Sequence, residues 1–296
     1  MPIRILLQTT LLKTEEDDWT IARFSILRDY LGSLKDSQGN PLCEITARDR
    51  EPDRNGDDPI LSNLDRDRFD QLWLFALDVG GGLSAKDSQG IIHFHQQGGG
   101  ILSTRDHQDM GISMCALPEI GCYHYFHTQQ QDPDDSRCCP DDTETTYISF
   151  PNYHSGCNGD YQEITAIAPI HELLQNPDTG ETIKYFPSHP HEGGVGVPDR
   201  STNYARVIAT GKSKISGRSF NLVVAAESIQ DEAGNKLGRV VAQSTFHHFV
   251  DYNFDCDRGC PSFVDEPPGV RLKNNPQALQ DIQTYITNVA LWLTPQ

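Results

Sequence analysis

Two hydrophobic periods take turns along the chain. Residues 3–10 read Ile-Arg-Ile-Leu-Leu-Gln-Thr-Thr, a β run. Between residues 19 and 34 the apolar positions Ile21, Phe24, Leu27, Leu31 and Leu34 recur every three or four residues, which predicts a helix with one buried face. A short second strand follows at 43–46, and residues 72–77 are nearly all apolar, as a strand covered on both faces must be. A helix through Ile91 and Phe94 closes at Gly98-Gly99-Gly100, whose glycines supply left-handed residues, and leads into a fourth strand at 101–104. The order β-α-β-β-α-β predicts an α/β fold: a doubly wound, mostly parallel sheet flanked by helices, flavodoxin-like in plan.

The last third returns to strands at 205–210, 220–227 and 239–244, with turns at Ser216-Gly217 and Gly234-Asn235. Asn275-Pro276 then opens a packing helix over 275–294, striped by Leu279, Ile282, Ile286, Val289 and Leu293. Residues 108–162 break the pattern. They are polar and rich in Asp, Gln, Cys and Pro, and are expected as an insertion over the sheet edge within a single domain spanning 1–296.

Charge and cysteine content narrow the partners. A formal net charge of −18 repels phosphate backbones and anionic lipid, so neither nucleic acid nor membrane is expected. No apolar run approaches the roughly 20 residues of a membrane span. The opening Met1-Pro2-Ile3-Arg4-Ile5-Leu6-Leu7 is too short for a signal peptide, which points to the cytoplasm. The eight cysteines contain no repeated C-x-x-C pair, so a zinc ribbon is not indicated and idle thiols are expected. Cys256 and Cys260 would close a small loop only under oxidation. The partner expected is a small polar molecule, with self-association left open.

Chemistry concentrates where strands end. Arg105, Asp106 and His107 follow the fourth strand, offering an anion clamp, a carboxylate and an imidazole at the edge where open α/β sheets bind ligands. The late strands end in Glu227 and in His247-His248. Between them lies Ser188-His189-Pro190-His191-Glu192-Gly193-Gly194, whose proline aims two imidazoles. Three histidines plus Asp106 or Glu192 would satisfy a catalytic divalent metal, zinc first, through some of His107, His189, His191, His247 and His248. The competing reading has each histidine capping a strand or bonding a neighbour.

Several stretches together resemble the ThuA-like (trehalose-utilisation) branch of the class I glutamine amidotransferase-like superfamily. They are Phe69-Asp70-Gln71-Leu72-Trp73-Leu74, the helix ending in the triple glycine, the strand 101–104, and Gly238-Arg239-Val240-Val241-Ala242. The resemblance covers most of 1–107 and 180–250. True amidotransferases present a Gly-x-Cys-x-Gly elbow after this strand and a late His with Glu two residues on. This chain has Thr104-Arg105-Asp106-His107-Gln108 at the elbow, and Phe249 and Val250 after His248. A glutaminase triad is therefore incomplete. The resemblance implies a hydrolase or isomerase acting on a small polar, carbohydrate-derived molecule. In that reading His248 or His107 is base or ligand, Asp106 orients the imidazole, Arg105 holds a carboxylate or oxyanion, and Glu227 stands nearby. The alternatives are a non-catalytic ligand-binding or scaffold protein, and a cysteine enzyme using Cys115 or Cys157 beside a histidine.

Overall fold

The computed structural model describes residues 1–138, 140, 141, 145 and 147–295; Cys139 lies outside them. Its centre is an eight-stranded sheet. We number its strands β1 (Ile3–Leu12), β2 (Cys43–Arg50), β3 (Gln71–Phe75), β4 (Gly100–Thr104), β5 (Thr165–Ala166), β6 (Ala205–Lys212), β7 (Ser219–Ala226) and β8 (Val240–Gln243). They lie in the order β2-β1-β3-β4-β8-β7-β6-β5. The first five are mutually parallel, with Leu6 opposite Leu72, Leu72 opposite Ile101, and Ile101 opposite Val240. The expected α/β sheet flanked by helices is present. β7, β6 and β5 extend it in antiparallel pairing, with the turn at residues 213–218 joining β6 to β7 and no helix between β7 and β8.

The two-residue period of the strands divides the core. Ile5, Leu7, Trp73, Phe75, Leu102 and Val241 face one layer. There they meet Leu27 and Leu31 of α1 (Ser25–Ser33), Tyr252 and Phe254 of the short α3 (Asp251–Phe254), and Ile282, Ile286 and Val289 of α4 (Pro276–Trp292). Leu6, Leu72, Leu74 and Ile101 face the other layer, against Ile91 and Phe94 of α2 (Ala85–Gln96). α4 starts as expected: the Asn275 side chain accepts from the amides of Gln277 and Ala278, at 3.1 and 3.2 Å, just before Pro276.

Three expectations change in detail. The helix drawn over 19–34 is a 3₁₀ turn at Ile21–Phe24 followed by α1. Asp49 of β2 takes the Ile21 amide at 2.8 Å, and Asp251 takes the Ile26 amide at 2.7 Å, so two carboxylates from elsewhere cap separate segments. Of the three glycines after α2, only Gly98 is left-handed, at φ 84°. Gly100 is needed for clearance, since a Cβ there would stand 2.1 Å from the Leu293 carbonyl oxygen. Finally, the stretch expected as a polar insertion buries Met114, Leu117, Ile120, Tyr123 and Phe126 in the second layer. Its scattered aromatics carry no period, so pattern alone hides them. Among the described residues, no helix is long and apolar enough to cross a membrane.

Candidate active site

Three loops converge at the carboxyl ends of β4 and β8. Arg105-Asp106-His107 continues β4, and Thr245 through His248 continues β8, where a 3₁₀ turn (Phe246–His248) begins. The Phe246 amide donates to the Arg105 carbonyl at 3.0 Å, locking the two strand ends together. The His-Pro-His loop is laid across them by Gly193, whose amide donates to the Ser244 carbonyl at 3.1 Å. A Cβ on Gly193 would stand 2.3 Å from the Asp106 carbonyl oxygen and 2.9 Å from that of Ser244. Backbone atoms cannot rotate aside, so Gly193→Ala should lift the loop. The expected loss is about 2–4 kcal/mol, read as a lower melting temperature; an unchanged melting temperature would remove the close approach from the account.

The result is a cavity of about 270 Å³ walled by Trp19, Met110, Tyr147 and Phe263, with the imidazoles and Asp106 on the floor. The His189 Nε2 atom lies 3.3 Å from Asp106 Oδ1, and His107 Nε2 lies 3.6 Å from Asp106 Oδ2. Thr245 donates its hydroxyl to Asp106 Oδ1 at 2.7 Å. The rings of His189 and His247 stack at 3.6 Å between centroids, 10° from parallel. His191 stands edge-on to both His107 and His189, at 5.6 and 5.5 Å, and meets Glu266 Oε1 through Nε2 at 2.9 Å.

Asparagines behind the rings set their tautomers. His189 Nδ1 meets Asn158 Oδ1 at 2.8 Å, and His247 Nδ1 meets Asn253 Oδ1 at 3.3 Å. The Asn253 amide is oriented by its Nδ2, which donates to the Ser188 carbonyl at 2.8 Å. Both imidazoles therefore carry hydrogen on Nδ1 and leave the Nε2 lone pair bare. Burial and the neighbouring imidazoles hold His189 well below the ordinary histidine range, and burial likewise lowers His247 and His107. His107, His189 and His247 are thus neutral imidazoles gathered about Asp106.

No protein-family model matches the sequence, and no curated protein matches it either. Solved structures do match its fold. A ThuA-like protein from Parabacteroides merdae superposes with a TM-score of 0.52 at 14% identity, over 99% of this chain and 90% of that one. The chain has a ThuA-like fold. The mmIFT52 N-terminal domain superposes to a similar degree, with a TM-score of 0.51 at 10% identity over 99% of this chain and 98% of that domain.

Within this ThuA-like fold the strand-end candidates part company. Asp106, His107, His189, His191 and His247 line the cavity; Arg105, Glu227 and His248 do not. Arg105 is fully buried with its guanidinium 4.5 Å from the Phe126 ring, and burial draws its pKa down to about 9. It bonds the Gln108 carbonyl and lies beneath the loop, away from any clamp position. Glu227 follows β7, which runs antiparallel to β8, so it emerges at the opposite rim and pairs with Arg239 at 3.1 Å. His248 is buried behind the cavity, its Nε2 atom 3.5 Å from Glu192 Oε2. Both oxygens of Glu192 are engaged away from the cavity, so the carboxylate facing the floor is Asp106. Burial raises the Cys115 thiol pKa, the reverse of thiolate activation, and Cys157 is exposed. Asn158, Asn253, Thr245, Trp19 and Glu266 escaped the sequence reading because isolated polar or aromatic residues in loops carry no period or motif.

The donor set suits a cation. Asp106, His189 and His247 each offer a ligand atom, all within 4.8 Å of one another. Among the described residues His189 Nε2 is buried without a hydrogen-bond partner, 3.3 Å from a carboxylate oxygen of Asp106. Such a pair repels unless a proton or cation lies between.

Proposed function

We propose that the chain is an enzyme, a hydrolase or isomerase, that handles a small polar molecule on the histidine floor. The observation that carries this is the bare, buried Nε2 of neutral His189 beside Asp106 in an open cavity. His189 takes a substrate proton at Nε2, and Asp106 stabilises the imidazolium that results. Asn158 keeps the hydrogen on the far nitrogen, so the reacting one always faces the substrate. His191, tied to Glu266, stands beside this floor. A divalent cation, zinc first, would be held by Asp106, His189 and His247, and supplies a Lewis acid and an activated water when bound. Trp19, Tyr147 and Phe263 suit the apolar face of a sugar ring, which supports a carbohydrate-derived substrate.

Turnover of a panel of sugars, lactones and small esters, with metal content measured on the same protein, tests the reading. His189→Gln and Asp106→Asn should each lower kcat/KM by about 10²–10⁴-fold on whichever compound is turned over. Full activity in both variants overturns the assignment. Binding of a compound without any turnover, lost in both variants, would establish a ligand-binding protein instead.

A further inference from the structure

The C-terminal helix α4 reaches the site through a buried chain of hydrogen bonds. Tyr285, fully buried on that helix, donates its hydroxyl to Gln243 Oε1 at 2.7 Å. Turning the Gln243 amide over would strip the phenol hydrogen of its acceptor among the described residues. The amide nitrogen of Gln243 therefore faces His248 Nδ1, 2.7 Å away, and donates to it. An imidazole nitrogen that accepts carries no hydrogen, so the proton of His248 sits on Nε2, where Glu192 Oε2 lies at 3.5 Å.

Gln162 leads to the same assignment from the other side. Its Nε2 has two hydrogens, and both are taken, by the Pro187 carbonyl at 3.1 Å and by Glu192 Oε1. Its 3.4 Å approach to His248 Nε2 therefore has no hydrogen left to give, and an amide nitrogen accepts none, so the group that a hydrogen on His248 Nε2 faces is Glu192 Oε2. Glu192 collects the remaining donors: Ser155 at 2.6 Å and Ser244 at 2.7 Å. Ser155 in turn accepts the His189 amide at 2.9 Å. Glu192 sits one residue after His191 and one before Gly193, so whatever holds its carboxylate holds the loop that bears both imidazoles.

We propose that Tyr285 donates to Gln243 and Gln243 to His248 in a one-directional hydrogen-bond chain, whose far end, His248 Nε2, faces Glu192. It fixes His248 as the Nε2–H tautomer and makes it a positioning residue that anchors the His189–His191 loop from behind. The chain of bonds stands on geometry alone; its value to catalysis rests on the function proposed above. A buried hydrogen-bond chain of this kind orients working groups because each member has one satisfied arrangement.

The test is ¹⁵N-histidine labelling of the full chain with long-range ¹H–¹⁵N correlation at pH 7.5, together with binding of zinc alone. In the wild type, His248 should show protonated Nε2 and bare Nδ1. Tyr285→Phe frees the Gln243 amide, and the two His248 nitrogen shifts should move toward each other. Gln243→Glu offers only acceptors, so His248 Nδ1 should become protonated, and zinc affinity should fall about 10–100-fold as the loop loses its anchor. A wild-type His248 protonated on Nδ1, or variants with unchanged His248 shifts, overturns the proposal. The wild-type spectrum needs no variant to fold, and Tyr285→Phe keeps the ring that α4 packs. If the wild type binds no zinc, the metal assignment falls, while the tautomers still decide the hydrogen-bond chain.

Discussion

Glu192→Ala is expected to lower the unfolding free energy by about 3–5 kcal/mol, the range found when one partner of a buried polar pair is removed. Glu192 is wholly buried and accepts from Ser155, Ser244 and Gln162, with His248 beside it. Without the carboxylate those donors face each other in a dry space, and each unsatisfied donor costs about 1–3 kcal/mol. Gln is the closer mimic in shape, yet it replaces one acceptor oxygen with a donor amide, so Glu192→Gln should fall between wild type and Ala. Urea unfolding monitored by tryptophan fluorescence measures both. A loss below about 1 kcal/mol for Glu192→Ala would mean that water or a rearranged loop satisfies the donors. The same substitution distinguishes Glu192 from Asp106, which faces the cavity and has open space on one side.

Stability should also fall steeply in mild acid, for reasons unconnected with carboxylates. His95, His124 and His171 lie outside the cavity, and burial lowers their pKa values to about 4, about 3 and about 4. His95 stands in the last turn of α2, where the helix dipole would favour the cation, and burial overrides it. His124 is held by Ser103 at 2.8 Å and His95 by the Gly238 carbonyl at 2.8 Å. In the unfolded chain each titrates near 6.5. Below that pH the unfolded state binds protons that the folded state refuses, so stability is full above about pH 7 and declines as the pH drops toward the folded values. The slope is about 1.4 kcal/mol per pH unit for each imidazole, or about 2 kcal/mol each by pH 5. Denaturant midpoints at pH 7.5, 6 and 5 check this, and His124→Gln should flatten the slope by roughly one proton. Equal midpoints at pH 7.5 and 5 would show these rings to be solvated.

Much of the architecture is written in local pattern. The apolar runs at β1, β3 and β4, the α4 stripe and its Asn275 cap follow from side-chain periods of two and 3.6, which depend on nearest neighbours along the chain. The convergence of Asp106 and His107 with His247 follows as well, because parallel strands end on one rim. Strand direction is another matter. β7 and β8 read alike in sequence, but the connection over residues 227–239 carries no crossover helix, so they pair antiparallel and Glu227 emerges at the far rim. Orientation within a loop is equally invisible. A 3₁₀ turn rotates successive residues by about 120°, so adjacent His247 and His248 face different surroundings, one the cavity and the other Glu192. Arg105 shows the same limit, its guanidinium drawn under the loop onto Phe126, a residue from a segment with no readable period. Local periods thus reveal the main strands and helices and the chemistry at their ends. Which of those groups meet depends on strand direction, turn geometry and partners such as Asn158, Asn253 and Tyr285 contributed from distant parts of the chain, and is settled only by the folded arrangement.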